Sequence, residues 1–289
     1  MKRNRKDKTL DRRELLAGMA GLSAMSMVPP AFAKAAQVAA TQAAASGKVL
    51  VILELSGGND GLNTVVPYGD DAYYRQRPNI GIPKNELRII DDHFGFNPGM
   101  AGFESLYKDG KMAIVHGCGY ENPSYSHFTS MAYWHTAAPN SGDEYGWVGK
   151  LADSIAPSAP SNYLVNIGSK QSLAVKSEKH VPVVFDDPNR FMREAFAAEK
   201  EALDVVPDIG EIENPSRCFL LDIARGANDA SALVRDAWSR YDSPVDYGVN
   251  DLDLQKVVAL VDAGMPTSLY YVSYRNNSFD THVFQNNLH

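Results

Sequence analysis

A chain of 289 residues with 28 basic and 35 acidic side chains carries a formal net charge of −7, and an acidic body of this kind argues against nucleic acid as a partner. Its two cysteines, Cys118 and Cys218, fit neither a metal-binding spacing nor a CxxC redox motif; they form one disulfide in an oxidising compartment or stay as two buried thiols. The length and apolar content support a large core, laid out as one large α/β domain or two smaller ones.

The chain opens on Lys2, Arg3, Arg5, Lys6 and Lys8, followed by Asp11-Arg12-Arg13-Glu14-Leu15-Leu16, a weakly apolar run over residues 15–28, and Ala31-Phe32-Ala33. A cationic start, an arginine pair, a short apolar stretch and a small-x-small cleavage motif make the layout of a bacterial twin-arginine signal peptide over residues 1–33. Arg12 and Arg13 are then the pair presented to the Tat translocase, and Ala31 and Ala33 frame the cut. The apolar run is too short, too rich in Ala, Gly and Ser, and too soon broken by Pro29-Pro30 to serve as a stable transmembrane segment. The expected destination is the periplasm or the exterior. Twin-arginine export resembles a route for proteins that fold, often around a cofactor, before crossing, so a metal or prosthetic group is expected. Residues 1–33 hold seven basic and three acidic side chains, so the remaining 256 residues carry 21 against 32, a formal charge of −11.

Residues 34–47, rich in Ala, Gln, Ser and Thr, read as a flexible leader before a domain over residues 48–289. The continuous apolar run at 48–55 has the character of a strand buried on both faces of a parallel sheet, and it stops at Ser56-Gly57-Gly58-Asn59-Asp60-Gly61. Further β-type runs follow at 112–116, 163–167, 181–185 and 268–274, alternating with helical spacing at 190–203, 218–241 and 252–263. This alternation predicts an α/β fold with a mostly parallel central sheet flanked by helices. Residues 138–161, with Pro139, Gly142, Gly146, Pro157 and Pro160, read as a loop over one end of the sheet, and 204–215 as another exposed connection.

Ligands of open α/β sheets bind beyond the carboxyl ends of the strands, which directs attention to three segments. Asp60 follows the first strand in a glycine-rich turn, where a carboxylate either ligates a divalent ion or closes an Asx turn. Asp280 and His282 follow the last β-run, as a metal-binding pair in one loop or as a helix cap beside a surface histidine. Ser126, in Tyr125-Ser126-His127-Phe128, stands where a helix begins, either as its N-cap or as a nucleophile whose alkoxide the helix dipole and a nearby metal both favour. Asp60, Asp280 and His282 are therefore expected to converge on one cleft, with Ser126 facing it.

The order LVILELSGGNDGLNTVVPYGDDAYYRQRP, then SYSHF, then FDTHVFQ resembles the bacterial domain-of-unknown-function family numbered fifteen hundred and one, itself similar to the alkaline phosphatase and sulfatase superfamily. The resemblance runs in order along nearly all of residues 48–289 and rests most on the GGNDGLN and PYGDxxYYxxRP blocks. It implies an alkaline-phosphatase-like fold in which Asp60, Asp280 and His282, with His289 as a further candidate, bind divalent metal (zinc, calcium, magnesium or manganese). It also implies that Ser126 is the nucleophile, acting on a small anionic ester. Two departures stand out. Sulfatases carry Cys-x-Pro-x-Arg at the nucleophile, and Tyr125-Ser126-His127-Phe128 does not match it, so formylglycine chemistry has no support here. Members of the family usually have an acidic, glutamine-bearing helix after SHF, where this chain has Thr129-Ser130-Met131-Ala132-Tyr133-Trp134-His135. The family also continues past its DTH motif to a Phe-Gly-Arg segment and an Asp-His pair; ending at Leu288-His289, this chain reads as C-terminally truncated.

Three functions are compatible with these residues: a metal-dependent hydrolase of phosphate or sulfate esters, a non-catalytic periplasmic or surface protein that keeps the fold, and a metal-free SGNH-type esterase. The last matches Gly57-Gly58-Asn59-Asp60, yet its closing element is Asp-x-x-His where this chain has Asp280-x-His282. Ser56 is also the sole serine placed to precede that block on the first strand.

Overall fold

The computed structural model describes residues 49–57, 59–157, 162–191, 215–247 and 252–274, with backbone alone for 215–225, 228 and 274. The signal peptide at 1–33, the leader at 34–47, residues 192–203 of one expected helix, the connection at 204–214, and Asp280, His282 and His289 lie outside the described residues. By internal packing the chain divides into two compact units, one built from residues 1–52 with 128–272 and the other from 53–127 with 273–289.

The larger unit is of mixed α/β class. The four-stranded sheet, whose strands fall in that unit except for residues 53–55 and 273–274, comprises β1 (Leu50–Leu55), β5 (Leu164–Ile167), β6 (Val183–Phe185) and β7 (Leu269–Tyr274) in the order β1-β7-β5-β6. β5 pairs parallel with β6, Val165 opposite Val183, and parallel with β7, Val165 opposite Tyr270. The Leu50 N–H donates to Ser268 O at 2.8 Å, and Ser273 Oγ donates to Glu54 Oε1 at 3.4 Å, so β1 and β7 advance in the same direction. Every residue of β5 is buried, Asn166 included, in keeping with a strand that has neighbours on both sides. β1 departs from expectation. It is an edge strand of the described sheet, none of its residues is fully buried, and Val51 and Leu55 are exposed. An apolar run by itself fixes strand character and not rank within the sheet.

The core beside this sheet gathers Val148, Leu151, Ala152, Leu164, Val175 and Leu269, with Leu50 and Ile52 packed against them. Fully burying each of the larger of these side chains contributes roughly 1.5–3 kcal/mol. Three of the six come from a helix at Trp147–Ile155, within the stretch that reads as loop. Val148, Leu151, Ala152 and Ile155 recur at helical spacing and form its inward face, so the surrounding prolines and glycines bound an element here and do not replace one. The expected helices at 218–241 and 252–263 are present as Pro215–Arg240 and Leu254–Asp262, which pack on one another.

The smaller unit was not foreseen in its details. It holds a three-stranded antiparallel sheet, β2 (Val65–Val66), β4 (Gly95–Phe96) and β3 (Arg88–Ile89), in the order β2-β4-β3. Helices α1 (Gly61–Thr64), α2 (Asp71–Gln76) and α3 (Ala101–Lys108) surround it, and Val66, Tyr73 and Leu87 form its core. The β-type run at 112–116 is not a strand; these residues have no regular structure, and Val115 is 60% exposed. Strand propensity reports the fit of a side chain to a pleated surface, and this run pairs with no described neighbour. Among the described residues no helix is long and apolar enough to cross a membrane.

Candidate functional site

The turn after β1 is built around Asp60. Gly57 takes φ +112°, a conformation that favours glycine and lets the chain reverse at the strand's end. Asp60 then caps α1: its Oδ1 accepts from the Asn63 N–H at 3.3 Å, and its backbone carbonyl accepts from the Asn63 and Thr64 amides at 3.0 Å each. Thr64 Oγ1 donates to the same carbonyl at 2.8 Å while accepting from Asn59 Nδ2 at 2.6 Å. Gly61, expected to help make the turn, sits instead at the first position of α1, where an added Cβ would meet open space. The Asx-type cap is therefore present at Asp60.

The second oxygen of Asp60 is also engaged, since Arg77 Nη2 donates to Oδ2 in an ion pair that is largely shielded from solvent. Arg77 follows α2, and its guanidinium lies 5.9 Å from the centre of the Tyr73 ring. One helical turn before it, Tyr73 donates to the buried Asn63 Oδ1 at 2.7 Å and accepts from the Ile82 N–H at 2.8 Å. Burial pushes the Tyr73 hydroxyl above its ordinary pKa, with the Ile82 amide opposing. Asn63 Nδ2 donates to Ile80 O and Asn97 Nδ2 to Asn63 O, both at 2.8 Å. The two most specific sequence blocks are thus one hydrogen-bonded unit, Asp60 and Asn63 from GGNDGLN meeting Tyr73 and Arg77 from PYGDxxYYxxRP.

Other letters of those blocks have local causes. Asp70 caps α2 by accepting from the Ala72 N–H at 2.8 Å. At Gly69 a Cβ would stand 2.6 Å from His93 Nδ1 and 3.0 Å from His93 Cα, so the backbone of residues 91–94 approaches too closely for a side chain. There Asp91 Oδ1 accepts from the Phe94 and His93 amides at 2.7 and 2.8 Å, and these two bonds hold its carboxyl below the usual range. Phe94 stacks on His116 with ring centres 4.5 Å apart.

Ser126 stands immediately before α4 (His127–Thr136), the helix start expected of it, and it is exposed. Its N–H donates to Ser124 Oγ at 3.2 Å. The aromatic side chains on either side, Tyr125 and Phe128, are 97% and 90% exposed. Cys118 is a free, exposed thiol, so it is neither half of a disulfide nor the buried thiol that was the alternative.

Of the four metal-ligand candidates, Asp60 alone falls among the described residues. It fits a divalent cation in kind, as a carboxylate beyond the carboxyl end of β1, although both its oxygens are committed to protein donors. Among the described residues no group of three or more His, Cys, Asp or Glu side chains is arranged to hold a metal ion. Arg77, Tyr73 and Asn63, which no local pattern marks as functional, all lie inside the GGNDGLN and PYGDxxYYxxRP blocks. No family model, no curated protein and no solved structure matches this chain.

Proposed function

We propose that the chain is an exported, metal-dependent hydrolase of phosphate or sulfate esters, of the domain-of-unknown-function family it resembles and with an alkaline-phosphatase-like arrangement. Asp60, Asp280, His282 and His289 would hold the divalent metal, which supplies charge stabilisation for the attacking and leaving oxygens. The observation that supports the reading is that a carboxylate, Asp60, stands just past the carboxyl end of β1 and that Ser126 immediately precedes α4. Ser126 Oγ attacks phosphorus or sulfur in line and loses its proton to solvent. The ester oxygen leaves with the bonding pair, and water then hydrolyses the seryl ester to free anion and serine. The first backbone amides of α4 are suited to the negative charge that builds on the transferred group.

The test is turnover of p-nitrophenyl phosphate and p-nitrophenyl sulfate by the purified chain with added zinc, manganese, magnesium or calcium. Turnover that chelator removes and Ser126→Ala abolishes without changing the melting temperature is expected. Equal rates in the wild type and Ser126→Ala would remove the serine from the reaction; no turnover of either ester would sink the reading.

A second reading has its own observation. Because Asp60 Oδ1 serves the α1 cap and Oδ2 the Arg77 guanidinium, the motif also suits a non-catalytic periplasmic or surface protein in which this carboxylate is structural.

A further inference from the structure

We propose that the turn over residues 168–171, beyond the carboxyl end of β5, binds a hydrogen-bearing oxyanion, inorganic phosphate, and discriminates against sulfate. No residue of the proposed hydrolase reaction takes part in this site.

Three observations carry it. First, the turn leaves a strand with neighbours on both sides, at the end of the sheet where ligands of parallel α/β folds bind, and only its ends are fastened. The Gly168 N–H donates to Phe185 O and the Ser172 N–H to Asn166 Oδ1, each at 2.7 Å. Between them Ser169, Lys170 and Gln171 are exposed and have no hydrogen-bond or ion-pair partner among the described residues. Three successive backbone amides, a hydroxyl and an ammonium are therefore open to an anion. Second, Asn166 places a donor beneath the turn. Its side chain is fully buried, and Nδ2 has no hydrogen-bond partner. A Cβ on Gly168 would stand 3.5 Å from Nδ2 and 3.8 Å from Lys170 O, so both atoms face the inner side of the turn. Gly168, at φ +158°, leaves that side clear of a side chain. An unpaired buried amide disfavours the closed turn, and the unbonded apex is free to lift for a ligand that pairs it. Third, the two inward atoms are one donor and one acceptor. Sulfate at neutral pH offers acceptors alone and would leave Lys170 O facing an oxyanion. Inorganic phosphate offers a P–O− to Asn166 Nδ2 and the Lys170 ammonium, and a P–OH that donates to Lys170 O. The acidic residues that follow β6 are already paired, Asp186 with Lys256 at 3.7 Å and Asp187 with Arg190 at 3.5 Å, which lessens their opposition to an anion.

The probes are inorganic phosphate and sulfate at matched ionic strength, titrated calorimetrically into the full chain as wild type, Lys170→Ala and Asn166→Asp, with chelator present so that no metal contributes. Wild type should bind phosphate at least about tenfold more tightly than sulfate, because sulfate lacks the hydrogen that Lys170 O accepts. Lys170→Ala, a change at an exposed side chain, should weaken phosphate binding about fivefold or more without altering the melting temperature. Asn166→Asp puts an anionic acceptor where the donor was and should abolish binding. Wild-type protein labelled with 15N gives a measurement independent of whether Asn166→Asp folds: the backbone amide signals of Ser169, Lys170 and Gln171 should move as phosphate is added and stay in place with sulfate. Equal affinity for the two anions, phosphate binding unchanged in Lys170→Ala, static amide signals in the turn during saturable binding, or no saturable phosphate binding at all would each overturn the site.

Discussion

Tyr73 donates its hydroxyl hydrogen to Asn63 Oδ1 at 2.7 Å, and both residues are buried in the smaller unit. The bond spans ten residues and joins α2 to the end of α1, while the same hydroxyl accepts from the Ile82 amide. Tyr73→Phe leaves a buried acceptor and a backbone donor unpaired, at a cost of about 1–3 kcal/mol for each group. Urea unfolding should show a midpoint lowered accordingly with an unchanged slope; an unchanged midpoint would mean that the bond is absent in solution.

Two glycines in helices should respond to alanine with opposite signs. A Cβ on Gly149 would stand 2.2 Å from the Lys176 carbonyl oxygen, and backbone cannot yield as a flexible side chain does. Overpacking of this kind costs roughly 1–3 kcal/mol or more, which outweighs the helix-propensity gain of about 1 kcal/mol on replacing glycine by alanine. On Gly102 in α3 the added methyl meets open space, so Gly102→Ala should stabilise by about 0.5–1 kcal/mol. Thermal melts of the two variants check the pair of signs.

Tyr270 is fully buried on β7, and burial pushes the pKa of its hydroxyl up to about 12, with the Thr267 side chain opposing the shift. Below pH 10 the folded and unfolded chains both keep this proton, so the group gives no pH dependence. As pH rises from 10 towards 12 the unfolded chain releases it while the folded chain retains it, and stability falls. Tyr163, whose pKa burial also raises, acts in the same direction. Tyr270→Phe should change stability at pH 7 by no more than about 0.5–1.5 kcal/mol, the net worth of a single hydroxyl hydrogen bond. It should also flatten the loss above pH 10 in melting temperatures taken across that range.

Cys118 is exposed, with its sulfur 3.6 Å from the Val115 carbonyl oxygen as its hydrogen-bond contact. A thiol-reactive dye should label the native chain at this position without denaturant, and Cys118→Ser should remove that fast phase. Labelling that requires prior reduction would show the thiol to be oxidised.

The sequence alone determined the elements whose signal is local. β-type residues at 163–167 made β5 a strand, helical spacing made Pro215–Arg240 and Leu254–Asp262 helices, and the polar residues around 126 announced the start of α4. It also singled out Asp60, because a carboxylate after a strand and among glycines is conspicuous in one dimension. Tertiary structure decided what local pattern leaves open. β1 and β5 both carry strand residues, and only pairing made one an edge and the other central. The run at 112–116 has strand residues and pairs with no described strand, while Trp147–Ile155 became a helix inside a proline-bounded stretch because its apolar face reached Leu164 and Leu269. The partner of Asp60 lies seventeen residues away and was not legible either. A charged pair forms when two turns bring the side chains together, and that distance is set by the Asn63–Tyr73 bond and the packing of α2, which no spacing along the chain encodes.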